Sequence, residues 1–197
     1  MTLKKRTIPP LTRTKKVNTI MRFLQLIAIS TLSFILSGCA NQFEQAVKLA
    51  PSAVSPKLLM SVKDINISDS RQNKAMAMVN SSEFMQVNNI ANLIRPWLTS
   101  SLQTSPNGRN QLNFDITTAT SYIKQYAMTF ESEAILEWKV TVSSPQRTWT
   151  KSYQTGINQE GPMKFDQEDV TKNMNIMLST LLERTLQDDE FQKALSR

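Results

Sequence analysis

The stretch FESEAILEWKVTV, residues 130–142, decides the fold. Phe130, Ala134, Leu136, Trp138, Val140 and Val142 recur at every second position, while Glu131, Glu133, Glu137 and Lys139 take the positions between. A period of two is the period of a β-strand, and one apolar and one polar face means a sheet packed on one side and wet on the other. The neighbouring segments repeat the pattern. In 112–118, Leu112, Phe114 and Ile116 share a face. In 148–157, Trp149, Tyr153 and Ile157 align, and Thr148, Thr150, Ser152 and Gln154 point away. SSPQ, 143–146, is short enough to join the last two strands as a hairpin.

Outward from these strands the period changes. Towards the C-terminus, Val170, Met174, Met177, Leu178, Leu181 and Leu182 form a helical stripe behind Asp166, a good N-cap with Glu168 and Asp169 in the first turn. DDEF, 188–191, caps a short final helix that packs Phe191 and Leu195. Towards the N-terminus, 87–103 places Ile90, Leu93, Ile94, Trp97 and Leu102 near one helical face. Pro96 inside it implies a kink or a late start, and SPNG, 105–108, closes it with turn chemistry. LLMSVKDINI, 58–67, alternates in one phase through Val62 and in the other from Ile65, so it reads as a strand with a bulge near Lys63-Asp64. SDSRQN is a polar turn and AMAMV, 75–79, a short second strand. Strand, helix, three strands, helix describes an α+β fold: a two-layer sandwich, mainly antiparallel, with helices on one face of the sheet.

The composition excludes more chemistry than it suggests. The formal charge of +7 looks like a nucleic-acid signal, but Lys4, Lys5, Arg6, Arg13, Lys15, Lys16 and Arg22 all lie before residue 38, with no acid among them. Beyond them the 16 carboxylates are matched by as many cations, which leaves no basic footprint for nucleic acid. There is no histidine, which removes the usual general base, triads and commonest metal ligand. One cysteine excludes internal disulfides and cysteine-rich zinc sites. No GxGxxG or GxxxxGK[ST] loop occurs. The expectation is therefore a protein that is not an enzyme and holds no cofactor or metal.

The single cysteine, Cys39, ends the apolar run FLQLIAISTLSFIL, 23–36, behind Ser37-Gly38. Basic residues precede the run, and it is too short to cross a bilayer comfortably at about 1.5 Å per residue. That order describes a signal peptide over 1–38, with Met21 an alternative start to Met1. Leu36, Ser37, Gly38 and Cys39 resemble the lipobox of bacterial lipoproteins. The resemblance implies a thioether from the Cys39 thiol to diacylglycerol, cleavage before Cys39 and acylation of the new amino group. Each buried CH2 contributes about 0.8 kcal/mol, and stable anchoring takes more than one chain. Ala40 follows Cys39, which in the enterobacterial sorting rule implies the inner leaflet of the outer membrane, facing the periplasm, with inner-membrane retention as the alternative. Residues 39–57 read as a lipidated tether, with Pro51 and Pro56 disfavouring a long helix, and 58–197 as the periplasmic domain.

The whole layout resembles the YajG-like family of bacterial outer-membrane lipoproteins: LSGCA, a proline-containing tether, a first strand running into ISDSRQN, a helix, a PNG turn, three long strands and a closing helix. Pro96 departs from that pattern. The resemblance implies a lipid-anchored periplasmic domain without an established reaction. Its acidic-x-Arg turn corresponds to Asp69 and Arg71 here, as partner-binding residues or as an ion pair bracing the turn; bracing is the favoured reading.

Other candidates read more plainly as structure. Glu131, Glu133 and Glu137 could do acid-base work but lie where alternation puts a solvated face. Met76, Met78 and Met85 could hold Cu(I), yet methionine commonly fills cores. Asp188, Asp189 and Glu190 could bind a cation, yet acids belong in a helix's first turn. The expected function is a non-catalytic binding or accessory subunit of an envelope complex, with an unknown envelope protein as partner and membrane lipid held through acylated Cys39. The alternative is a small-ligand or lipid-binding module with a cleft between sheet and helices, lined by Trp97, Trp138 or Tyr153. A carboxylate hydrolase stands third.

Overall fold

The computed structural model describes residues 48–196. In chain order the elements are β1 (Lys57–Leu59), β2 (Val62–Asp69), β3 (Ala75–Val79), β4 (Ser82–Gln86), α1 (Ile90–Ser101), β5 (Leu102–Thr104), β6 (Asn110–Gln125), β7 (Thr129–Ser144), β8 (Arg147–Pro162), α2 (Gln167–Gln187) and α3 (Asp189–Ser196). The expected signal peptide, the lipobox Leu36, Ser37, Gly38 and Cys39, and the tether up to residue 47 lie outside the described residues.

Strands β6, β7 and β8 form an antiparallel meander, each 16 residues long. Their core-facing residues match the alternation in the sequence: Leu112, Phe114, Leu136, Trp138, Val140 and Tyr153 are buried. The other edge of β6 carries two strands in succession. β2 pairs with its first half in parallel, Ile65 opposite Leu112 and Asp69 opposite Ile116. β3 pairs with its second half, also in parallel, Ala77 opposite Ser121. β4 adds an antiparallel edge beyond β3, and β1 and β5 make a separate small parallel pair. The result is an open mixed sheet whose longest pairings are antiparallel, consistent with the α+β sandwich.

The register shifts between Val62 and Asp64, where the change of apolar phase called for a bulge. A second shift on β6, between Ile116 and Thr118, moves the core face from even to odd numbers, so Ala119, Ser121 and Ile123 continue what Phe114 and Ile116 begin. α1 starts at Ile90, three residues later than the periodicity suggested, because Asn89 caps it by accepting from the Asn92 N–H. Pro96 and Asn92 are both exposed, so the carbonyl that proline leaves unpaired faces water. Asp166 caps α2 through the N–H groups of Glu168 and Asp169.

Residues 48–56, read from sequence as tether, lie on the helices instead. Pro51 is buried, and Leu49 and Val54 pack against the core. Asn175 on α2 accepts from the Ala50 N–H, and the Ser52 carbonyl accepts from the Trp97 indole.

Gly108 closes the turn into β6 where no side chain fits. A Cβ there would stand 2.4 Å from the Val62 carbonyl carbon and 2.6 Å from the Lys63 nitrogen, both backbone atoms. Gly108→Ala therefore has to displace β2 at its bulge and is expected to cost about 1–3 kcal/mol, read as a lower denaturant midpoint with an unchanged slope. An unchanged midpoint would show that the turn yields freely.

Candidate functional site

The turn after β2 is where the family-like residues sit. Asp69 and Arg71 are both enclosed, their side chains 2% and 1% exposed. Arg71 grips Asp69 with two parallel bonds, Nε to Oδ1 and Nη2 to Oδ2, each 2.9 Å. The same guanidinium donates to the Val87 carbonyl at 2.6 Å and reaches the Ala119 carbonyl at 3.5 Å. Asp69 Oδ2 also accepts from the Ile90 N–H, the first residue of α1, and Oδ1 from Lys74. One ion pair thus joins the break between β2 and β3 to the middle of β6 and the start of α1. Burial alone would raise the Asp69 carboxyl. The Arg71 hydrogen bonds, the Ile90 N–H, the Arg71 charge and Lys74 outweigh it and hold the group at about 2. Direct contact with a partner would need this turn to open. As folded, the pair braces the turn and presents neither side chain.

The open surface nearby is the polar face of the sheet. A groove of about 770 Å3 lies across it, lined by Met78, Tyr122, Lys124, Glu131, Glu133 and Asn158 among others. The register explains the lining. Met78, Tyr122, Glu133 and Asn158 stand in one row across β3, β6, β7 and β8, and Lys124, Glu131 and Glu160 in the next. A depression of about 440 Å3 shares Tyr122 and runs to Ser70, Gln72 and Asn73, beside the braced turn. Glu131 and Glu133 therefore lie on the expected exposed face, and Glu137 is half-buried two rows beyond Glu133, past Ile135. Sequence reading singled out these carboxylates, weighed Met78 only as a copper ligand or core filler, and passed over Tyr122. Read on from Leu112, Phe114 and Ile116, Tyr122 falls on the core face; the β6 bulge reverses that phase and brings it to the polar face beside Glu133.

The interface between sheet and helices is filled at the position of Trp138. That ring is wholly buried, edge-on to Phe114 at 5.3 Å, with its indole N–H donated to Thr185 at 3.1 Å. Trp97 bonds to the 48–56 segment. Tyr153 borders a depression of about 400 Å3 with Lys151, Arg184 and Asp188. Its hydroxyl donates to Asp188 at 2.8 Å, and burial, followed by that hydrogen bond and the carboxylate charge, raises the phenol well above its ordinary value. Burial also opposes ionisation of Asp188, but Lys151 at 2.8 Å, the Tyr153 hydroxyl and the Glu190 N–H hold it at about 2. The first acid of the 188–190 cluster is thus engaged as a cap and ion-pair partner. Met76 and Met85 are buried and Met78 half-buried, with Met76 and Met85 in the hydrophobic core. Among the described residues, no three His, Cys, Asp or Glu side chains group together to hold a metal ion, and no helix is long and apolar enough to cross a membrane.

A protein family described as an uncharacterized lipoprotein matches residues 59–196. No curated protein matches. Among solved structures, one from Xanthomonas campestris is similar at 10% identity, covering 72% of this chain and 89% of its own, with a TM-score of 0.45. Another, of an uncharacterized protein, has 9% identity, covers 72% and 99%, and has a TM-score of 0.40.

Proposed function

The chain belongs to this family of uncharacterized lipoproteins, the YajG-like family, and on that premise we propose that it is an acylated envelope protein with a non-catalytic binding role. The lipid is carried on Cys39, and the domain works in the periplasm from the inner leaflet of the outer membrane. The observation that carries the reading is LSGCA at 36–40, with basic residues and an apolar run before it and the family's domain after it. The domain serves as a binding or accessory subunit of an envelope complex, and its polar groove is the surface offered. There Glu131, Glu133 and Glu160 outnumber Lys124 around Tyr122 and Met78. That lining suits a partner that brings a cation beside an apolar side chain. The filled layer around Trp138 is why the groove, and not a cleft between sheet and helices, is the preferred binding surface.

Palmitate labelling of wild type and Cys39→Ser tests the anchor. Wild type should be labelled and sediment with membranes, and Cys39→Ser should be unlabelled and remain as precursor or in the soluble fraction. Correct cleavage and membrane retention of Cys39→Ser would overturn it. Crosslinked pulldown from membranes, set beside native mass spectrometry, separates a protein partner from a retained small ligand.

A further inference from the structure

The turn between β6 and β7 and the exit from β8 form one tip of the domain, held by the side chain of Gln125. Its Nε2 engages the carbonyls of Tyr126, Thr129 and Met163 at 2.9, 3.0 and 3.1 Å, and its Oε1 accepts from the Phe165 N–H at 2.9 Å. The Met163 N–H donates to the Met128 carbonyl at 2.7 Å. Phe130 and Phe165 pack edge to face beneath, 4.9 Å apart. This fixed frame holds large apolar side chains outward: Tyr126 is 49%, Met128 77% and Met163 73% exposed. Met163 does so at φ 72, a backbone conformation that favours glycine. Lys124 and Lys164 flank the group and are exposed.

The described chain also points to this end. From Ser52 to Ala50 it moves along α2 from Ser179 to Asn175, towards the Gln167 end, which adjoins Met163 through a short connection. Asn175 lies about 12 Å along α2 from its start. Residues 40–47, between Lys48 and Cys39, span at most about 30 Å. The exposed Leu58 and Met60 lie beside the other end of β6, about 50 Å away along the strand.

We propose that this tip, Tyr126, Met128 and Met163, rests in the interfacial layer of the bilayer that holds the lipid on Cys39. The inference relies on the anchor proposed above. Tyrosine and lysine suit the headgroup layer, and methionine the acyl boundary just below it. Three side chains bind a bilayer weakly, but the tether makes their contact intramolecular and so sufficient to orient the domain. The polar groove is then held at a fixed height over the lipid rather than swinging on the tether.

The test uses the full lipidated chain in phosphatidylethanolamine and phosphatidylglycerol vesicles. Met128→Cys, Met163→Cys and Met60→Cys each carry an environment-sensitive fluorophore; the Cys39 thiol is already taken by its thioether. Lipids with a quencher high on the acyl chain should blue-shift and quench the label at 128 and 163 and leave 60 unchanged. Protein that fails to sediment with the vesicles overturns the anchor, and this orientation with it. Protein that sediments with 128 and 163 unquenched overturns the orientation alone and leaves a protein partner as the tip's occupant; 60 quenched as strongly as 128 and 163 also overturns it, since the domain then has no preferred end at the lipid.

Discussion

Arg71→Ala is expected to lower stability by about 3–5 kcal/mol, because it removes one member of a buried ion pair and leaves the other. Asp69 would keep its charge with 2% of its side chain exposed, and the Val87 and Ala119 carbonyls would lose their donor. Asp69→Asn leaves Arg71 as the unpaired buried charge and should cost a similar amount, eased by the amide oxygen, which still accepts from the Ile90 N–H. Asp69→Asn with Arg71→Leu should recover part of the Arg71→Ala loss, because no buried charge then stands alone. Denaturant midpoints of the four proteins measure this. A loss below about 1 kcal/mol for Arg71→Ala would show that water reaches the turn and that the pair is no brace.

The same pair sets an acid limit. Asp69 is held at about 2 against an ordinary 3.8, so its stabilising share is complete above pH 3.8 and disappears as pH falls towards 2. That share is about 2 kcal/mol. Asp188 loses its own share over the same window. Arg71→Ala removes the grip that holds Asp69 down, so the acid-dependent loss should shrink between pH 4 and 2 even though the variant is less stable throughout.

What could be read in the chain follows how local each signal is. FESEAILEWKVTV and its neighbours carry their faces in every second residue, and the hairpin between β7 and β8 needs only a short turn. The bulge at Lys63-Asp64 was visible because Val62 and Ile65 differ in phase, although 58–67 is two strands and not one, with Leu58 and Met60 exposed and Leu59 buried. By contrast, nothing local states that β2 and β3 share an edge of β6 in parallel. The second half of β6, ATSYIKQ, hid because a bulge reverses its phase and threonine and serine take positions that aliphatic residues hold elsewhere. β4, SEFMQ, is too short for a period to register. SDSRQN looks exposed by composition, yet Arg71 turns inward, where Asp69 and the Ala119 and Val87 carbonyls accept from it. The carboxylate row of the groove was legible and its aromatic partner was not. The apolar tip gave no sequence signal, since Met163 is distant in the chain from Tyr126 and Met128 and meets them only through the Gln125 side chain and its own N–H to the Met128 carbonyl.

Trp138→Ala is expected to cost about 3–5 kcal/mol, the range for removing a large aromatic side chain from a core. The ring is fully buried beneath α2, edge-on to Phe114, and its N–H is the donor that the Thr185 hydroxyl accepts while bonding onward to the Leu181 carbonyl. Removing it opens a cavity and leaves that hydroxyl one partner short. Trp138→Phe should cost less, keeping most of the volume and losing the hydrogen bond. The contrasting variant is Glu131→Gln, Glu133→Gln and Glu137→Gln together. These side chains stand on the other face of the same strand, and exposed substitutions usually stay within about 0.5 kcal/mol each. The triple variant should therefore unfold at nearly the wild-type midpoint while weakening capture of a basic partner at the groove. If it loses stability as Trp138→Ala does, the polar face is part of what holds the fold together, and the binding surface has to be sought elsewhere. If Trp138→Ala is as stable as wild type, the layer between sheet and helices has room to spare, and a ligand cleft there returns as the better reading.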